Sequence, residues 1–231
     1  VGSEMCIRDS YHYVRSYMLG RKARLVAREA HRKRGRLLDI GTGTGYFADT
    51  MARRGWKVEA VEKSPQARAF AKEHFDLDVK PESALQEFAP GSFDVITLWH
   101  VMEHLEHLNE TWEMLRELLT EKGMLIVAVP NCSSYDAGRY GEYWAAYDVP
   151  RHLWHFTPVT IQQLASRHGF IMAARHPMPF DAFYVSMLSE KHRGSSCSFL
   201  KGMYAGTLAW FSTLGRKERS SSMIYVFRKK R

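Results

Sequence analysis

Leu37-Leu38-Asp39-Ile40-Gly41-Thr42-Gly43-Thr44-Gly45 decides how this chain is read. A short apolar run with one acid ends in three glycines at alternate positions, and Tyr46 then opens a stretch of helical character that Gly55 closes. Glycines let the backbone turn sharply and come close to a ligand with no Cβ in the way. The helix that follows adds unpaired N–H donors and a partial positive charge. Glycine spacing alone is weak evidence, because dinucleotide-binding folds place G-x-G-x-x-G at the same point. Here the third glycine comes one residue early, and Tyr46 stands where that fingerprint wants glycine. A second acid, Glu62, ends a second apolar run at 57–61; a carboxylate there can accept both hydroxyls of a ribose and would repel a 2′-phosphate.

Outward from this loop the chain alternates strand and helix. Ser64-Pro65 is a serine cap with proline at the first helical position, starting a helix that runs to about His74. Residues 77–80 read as a third strand, and 93–99 (FDVITLW) as a fourth. Val101, Leu105, Leu108, Trp112, Leu115 and Leu119 recur at spacings of four and three, an apolar helical face that breaks near Leu108 with Asn109 as cap. Gly123 turns into a continuously apolar strand at 124–129, as expected of a buried parallel strand. Thr157-Pro158 repeats the cap-and-proline start of a helix ending at His168-Gly169, and 170–175 and 223–228 are the last strands. Upstream, 11–36 reads as a basic helix. The expected fold is α/β: a doubly wound, mostly parallel seven-stranded sheet with helical insertions at 131–156 and 180–222.

The chain of 231 residues is the size of one domain, here 11–231, with 11–35 as the N-terminal helix and 36–130 as the ligand-binding core. Its 45% hydrophobic and 25% charged residues exclude a disordered or low-complexity protein. Cys6, Cys132 and Cys197 form no C-x-x-C, which argues against a disulfide scaffold and for a reducing, cytoplasmic setting. Residues 1–10 (VGSEMCIRDS) fit no element and read as an appended leader, with no signal-peptide order. The net charge of +8 allows an anionic partner without establishing one.

Asp39 to Gly45 with Glu62, then Phe93-Asp94-Val95-Ile96 with Glu103-His104-Leu105, resemble the class I S-adenosylmethionine-dependent methyltransferases, nearest the broad group that includes the ubiquinone-biosynthesis O-methyltransferases. The resemblance is close over residues 35–131. It implies S-adenosylmethionine as cofactor and strand order 3-2-1-4-5-7-6 with the last strand antiparallel. It also implies that Gly41, Thr42 and Gly43 line the methionine end, that Asp39 lies near the cofactor's amino group, and that Glu62 takes the ribose hydroxyls. Lys63 and the pair Glu82-Ser83 would lie by the adenine, where the family often has Asp-Ala. Trp99 and His100 would end the strand that passes the sulfonium.

Such chemistry asks little of side chains beyond a base when the nucleophile must lose a proton. His100, Glu103, His104 and His107 follow the fourth strand; Tyr147, Asp148, Arg151, His152 and His155 lie in the loop after the fifth. His152 or His104 is the expected general base, with Asp148 or Glu103 as orienting partner. No metal is expected: E-H-x-x-H at 103–107 has the wrong order for the zinc-protease motif. Tyr140, Tyr143, Trp144, Tyr147, Trp154 and Phe156 either wall a pocket for an apolar or planar acceptor or form a lid over the sheet edge. Residues 199–214 carry the single charge Lys201; an interfacial or acceptor-covering helix and a buried helix are both open, so peripheral membrane contact through 180–217 stays open too. No zinc-finger or RNP-like signature speaks for nucleic acid. The expected function is methyl transfer to a small-molecule or lipid-like acceptor, O-directed. The rivals are a non-catalytic S-adenosylmethionine-binding regulator and an NAD-dependent oxidoreductase.

Overall fold

A computed structural model describes residues 2–230, with side chains from Val14 onward. No side chain of the segment read as a leader is therefore described, and Val1 lies outside the described residues altogether; the backbone from Gly2 on, expected to fit no element, is helical and continuous with the basic helix. The elements run α1 (Gly2–Glu29), β1 (Arg36–Ile40), α2 (Tyr46–Ala52), β2 (Lys57–Val61), α3 (Pro65–Phe75), β3 (Phe93–Trp99), α4 (Leu108–Leu118), β4 (Leu119–Pro130), α5 (Tyr135–Tyr140), α6 (Pro158–Arg167), β5 (Phe170–Met178), α7 (Asp181–His192), α8 (Ser198–Gly215) and β6 (Ser222–Lys229). The strands are ordered β2-β1-β3-β4-β6-β5. β1 and β2 are parallel in register from Arg36 opposite Lys57 to Ile40 opposite Val61, and β6 runs antiparallel to β5.

The sheet has six strands where seven were expected. Residues 77–80 contribute only one bridge, Lys80 to Val61. Lys80 N donates to the Ala60 carbonyl (2.9 Å) and Glu62 N to the Lys80 carbonyl (3.0 Å). The next residue is Pro81, which has no N–H to extend a ladder, and a 3₁₀ turn at Glu82–Glu87 takes over. The remaining order is the one the resemblance implies, lacking its outermost strand. A second departure is β4, which begins at Leu119, earlier than the 124–129 expected.

Two compact units make up the chain: one runs to Thr97 and takes in Leu118–Met124, the other comprises Leu98–Glu117 and the residues from Leu125 onward. In the first, Leu37, Leu38, Ala48, Met51, Ala60 and Val95 are buried, and Ala23 and Val26 of α1 are buried with them. The Arg15 guanidinium lies over the Tyr46 ring, 4.0 Å from its centroid. α3 starts as its sequence dictates: the Ser64 hydroxyl accepts from Ala67 N, and Pro65 occupies the first turn. In the second unit Trp112 is buried with its ring edge-on to Phe170 and Phe227, centroids 5.4 Å away in each case. The Thr157 cap of α6 is a complete capping box with Thr160.

Candidate functional site

The first unit builds the site's glycine loop. Beyond Ile40 the chain passes through Gly41 (φ 67°), Gly43 (φ 58°) and Gly45 (φ 84°) into α2. Gly41 N and Thr42 N both donate to the Val61 carbonyl, at 2.9 and 3.1 Å, so the loop hangs from the last residue of β2. Gly43 N donates to Glu62 Oε2 (2.8 Å) and Ser64 N to Glu62 Oε1 (2.9 Å). One carboxylate thus staples the turn after β1 to the turn after β2, and each of its oxygens keeps a further lone pair. Gly43 and Gly45 differ in what surrounds them. A Cβ on Gly43 would meet nothing within 4 Å, whereas one on Gly45 would come 2.9 Å from Ala71 Cβ. Gly45 is required by the packing of α2 on α3; Gly43 leaves open backbone.

Asp39 is 1% exposed. Its Oδ1 accepts from Thr97 Oγ1 at 2.6 Å, while Oδ2 is buried with no hydrogen-bond partner. Burial drives its carboxyl up, the Thr42 and Thr97 hydroxyls pull it back, and the result is a pKa of about 6. A buried carboxylate oxygen without a donor calls for one, such as an ammonium. The residues therefore fit the cofactor that the resemblance implies. Lys63 is exposed, and its carbonyl, like that of Glu62, accepts from Arg68 Nη1 (2.9 and 2.8 Å). Glu82 and Ser83 are exposed in the 3₁₀ turn. Thr97 was missed from the sequence, though a lone hydroxyl inside FDVITLW was a usable signal.

The second unit builds a cluster of imidazoles around a buried acid. Trp99 ends β3, and His100 follows in the left-handed region (φ 57°) with its N–H on the Ala128 carbonyl (2.9 Å). Its ring spans two acids: Nδ1 is 3.3 Å from Glu103 Oε1 and Nε2 is 3.4 Å from Asp181 Oδ2. Desolvation opposes its charge, but Asp181 and Glu103 outweigh that and raise its pKa to about 9. Asp181, at the start of α7, carried no sequence signal linking it to His100.

Glu103 is 1% exposed. His104 Nδ1 lies 2.9 Å from the Arg151 carbonyl and His152 Nδ1 lies 2.8 Å from the Ala146 carbonyl. A carbonyl only accepts, so both Nδ1 atoms carry the proton, and both Nε2 lone pairs are free to take a proton or a metal. The rings meet edge-on, centroids 4.6 Å apart. Glu103, His104 and His152 offer ligand atoms within 4.8 Å of one another. The sequence expectation of no metal thus meets a set that has the composition of a two-histidine, one-carboxylate cation site. His107 is exposed and outside that set, so the E-H-x-x-H spacing is not what assembles it.

Asp148, one of the two expected orienting partners, faces His152 at ion-pair distance. Asp148 Oδ2 stands 3.8 Å from His152 Nε2, and Asp148 Oδ1 is taken by Arg151 Nη2 at 2.7 Å. The Ala146 carbonyl holds the other ring nitrogen of His152, whose pKa is lowered by burial. The six aromatics of the loop divide between interior and surface. Tyr140, Trp144 and Phe156 are buried, Trp144 and Tyr140 in a core cluster with Val185 and Ala205. The Trp144 Nε1 donates to Asp136 Oδ2 (2.8 Å) and the Tyr140 hydroxyl to Glu190 Oε1 (3.1 Å). Of the six, Tyr143 and Trp154 are exposed and Tyr147 is half-buried, so three of them are interior packing.

Comparison with known proteins agrees with this architecture. Residues 11–174 match the methyltransferase domain family. The ubiquinone biosynthesis O-methyltransferase of Schizosaccharomyces pombe, mitochondrial, is 35% identical over 101 residues, 40% of this chain and 37% of that protein. The ubiquinone biosynthesis O-methyltransferase of Cereibacter sphaeroides is 30% identical over 158 residues, covering 63% of this chain and 64% of that one. The matches thus span less than two thirds of these relatives. An Archaeoglobus fulgidus SAM-dependent methyltransferase structure superposes with a TM-score of 0.62 at 18% identity, over 98% of this chain and all of that one (100%). The fold is the Rossmann-like methyltransferase fold, and the chain belongs to the class I S-adenosylmethionine-dependent methyltransferase family.

Proposed function

We propose that this chain transfers a methyl group from S-adenosylmethionine to an oxygen of a small, apolar or planar acceptor. The observation that carries the reading is Asp39: a buried carboxylate with one oxygen unpartnered, behind a glycine loop whose Gly43 leaves its backbone open. Asp39 would take the cofactor's ammonium, Gly41, Thr42 and Gly43 its methionine end, and Glu62 the ribose hydroxyls through the lone pairs its two backbone bonds leave over. Lys63, Glu82 and Ser83 would border the adenine, and Trp99 and His100 the sulfonium. When bound, the cofactor supplies a methyl on a positively charged sulfur, which an oxygen nucleophile displaces in line.

The residues that act on the acceptor are proposed from the second unit. His152, with Nδ1 fixed on the Ala146 carbonyl, presents Nε2 as a base, and its lowered pKa keeps it neutral near pH 7. His104, whose Nδ1 is likewise fixed on a carbonyl, that of Arg151, is the second candidate. The O-directed reading is supported by the relatives named for ubiquinone biosynthesis O-methylation.

Titration calorimetry tests the cofactor assignment. S-adenosylmethionine should bind and NAD should not. Affinity should fall as pH drops below about 6, because binding an ammonium favours the ionised form of Asp39. Tritium transfer from methyl-labelled S-adenosylmethionine into a panel of phenols and quinols tests turnover. Binding without transfer to any acceptor would favour the regulatory reading; binding of NAD alone would overturn the proposal.

A further inference from the structure

The helix α8 is packed with the wrong side in. Gly202, Ala205, Gly206, Ala209 and Thr213 face its interior side and are buried. Gly202 and Gly206 are spaced four apart and sit directly on α7: a Cβ on Gly202 would come 2.5 Å from Met187 Cα, and one on Gly206 2.8 Å from Phe183 Cα. The contact is therefore backbone on backbone, the small-x-x-x-small packing that serves helices whose outer surfaces already have an apolar environment. The large side chains go outward. Phe199 is 64% exposed, Leu200 69%, Tyr204 63%, Phe211 56% and Leu214 68%, and Tyr184 of α7 is 63% exposed. Positions 200, 204, 211 and 214 recur at helical spacing, so they form one stripe along about 21 Å of helix. A water-facing helix has the opposite arrangement, and a contiguous apolar stripe of this kind marks an interaction surface.

Charge identifies the occupant. From Lys191 to Lys217 the sequence has Lys191, Arg193, Lys201, Arg216 and Lys217 and not one Asp or Glu. Lys201, Arg193, Arg216 and Lys217 are exposed, bracketing both ends of the stripe. An apolar band that lies flat with cations at its rims matches the acyl boundary and headgroup layer of an anionic bilayer. No helix among the described residues is long and apolar enough to cross a membrane, so the contact is one leaflet deep. We propose that the α7–α8 hairpin docks this protein on anionic lipid, with Phe199, Leu200, Tyr204, Phe211 and Leu214 entering the interface. This does not rest on the methyl-transfer reading.

Flotation with phosphatidylcholine vesicles, with and without phosphatidylglycerol, tests it on the full chain. The protein should float with the phosphatidylglycerol vesicles and much less with phosphatidylcholine alone, and raised salt should release it. Lys201→Ala should weaken the anionic-vesicle binding about fivefold, the scale for losing one surface cation. Leu200→Glu with Phe211→Glu should abolish it while circular dichroism and the melting curve stay as in the parent, since both side chains are solvent-facing. Failure of the folded parent to float with either vesicle would overturn the proposal. So would a dimer in light scattering that the Leu200→Glu, Phe211→Glu chain lacks, because the stripe would then be covered by a second copy.

Discussion

Glu62 and Glu103 each close the approach to a reactive region, and they do it in opposite ways. Glu62 is satisfied locally: its two oxygens take the N–H groups of Gly43 and Ser64, both within one or two turns of the strands that define the loop. Glu103 is 1% exposed and neither of its oxygens has a hydrogen bond of good geometry; its neighbours are imidazoles, His100 at 3.3 Å among them. A carboxylate held by backbone N–H groups is fixed once the fold is formed. A carboxylate set among imidazoles has no such anchor, and its placement depends on the side chains around it. The glycine loop is thus tied together by backbone bonds, and the imidazole cluster is assembled from side chains.

The largest effect that would break this contrast is at Gly43. Gly43→Val places a β-branched side chain at φ 58° in open space, so S-adenosylmethionine binding should vanish in calorimetry while the far-ultraviolet spectrum is kept. Retained affinity would remove the loop from the site. Next comes Glu62→Ala, which should weaken binding by about 1–3 kcal/mol, the scale of lost charge-assisted hydrogen bonds, and should also lower the melting temperature because two buried-side backbone donors lose their acceptor. Thr97→Val should cost about 1–2 kcal/mol of stability by depriving Asp39 Oδ1 of its donor, and should push the Asp39 titration higher, measurable as a shift of the pH dependence of cofactor binding.

A pH dependence sharpens the other half of the comparison. His100 has its pKa raised to about 9 from 6.5, so its ion pairs contribute stability fully below pH about 6.5 and lose it as pH rises through about 9. Denaturant midpoints across that window should fall with pH, and Asp181→Asn should flatten the fall. An unchanged slope would show that Asp181 does not hold the charge.

What could be read from the chain follows the range of each interaction. The strand-loop-helix at 36–54 and the Ser64 and Thr157 caps depend on neighbours a few residues away, and each stands where its residues put it, whereas the helix after the break already starts at Leu108, so that Asn109, expected as its cap, lies inside α4. The edge strand at 77–80 failed for a local reason that was visible, the proline at 81, yet outweighed by the apolar Leu77 and Val79. The second anchor of His152 could not be read, because the Ala146 carbonyl is a backbone group that leaves no mark in the residue pattern. Nor could the burial of Tyr140 and Trp144: their partners Glu190 and Val185 come from α7, some fifty residues on.

The carbonyls of Ala146 and Arg151 belong to one short stretch of chain, and each fixes the tautomer of a different imidazole. Leu153 N and Trp154 N tie the next two residues of that stretch to the Glu103 carbonyl at 2.8 and 3.2 Å. Any excursion of this strap therefore scrambles both rings together: the two nitrogens lose their assigned roles in one event, and basicity at the cluster becomes a property of whether seven or so residues of backbone are seated, not of either histidine alone.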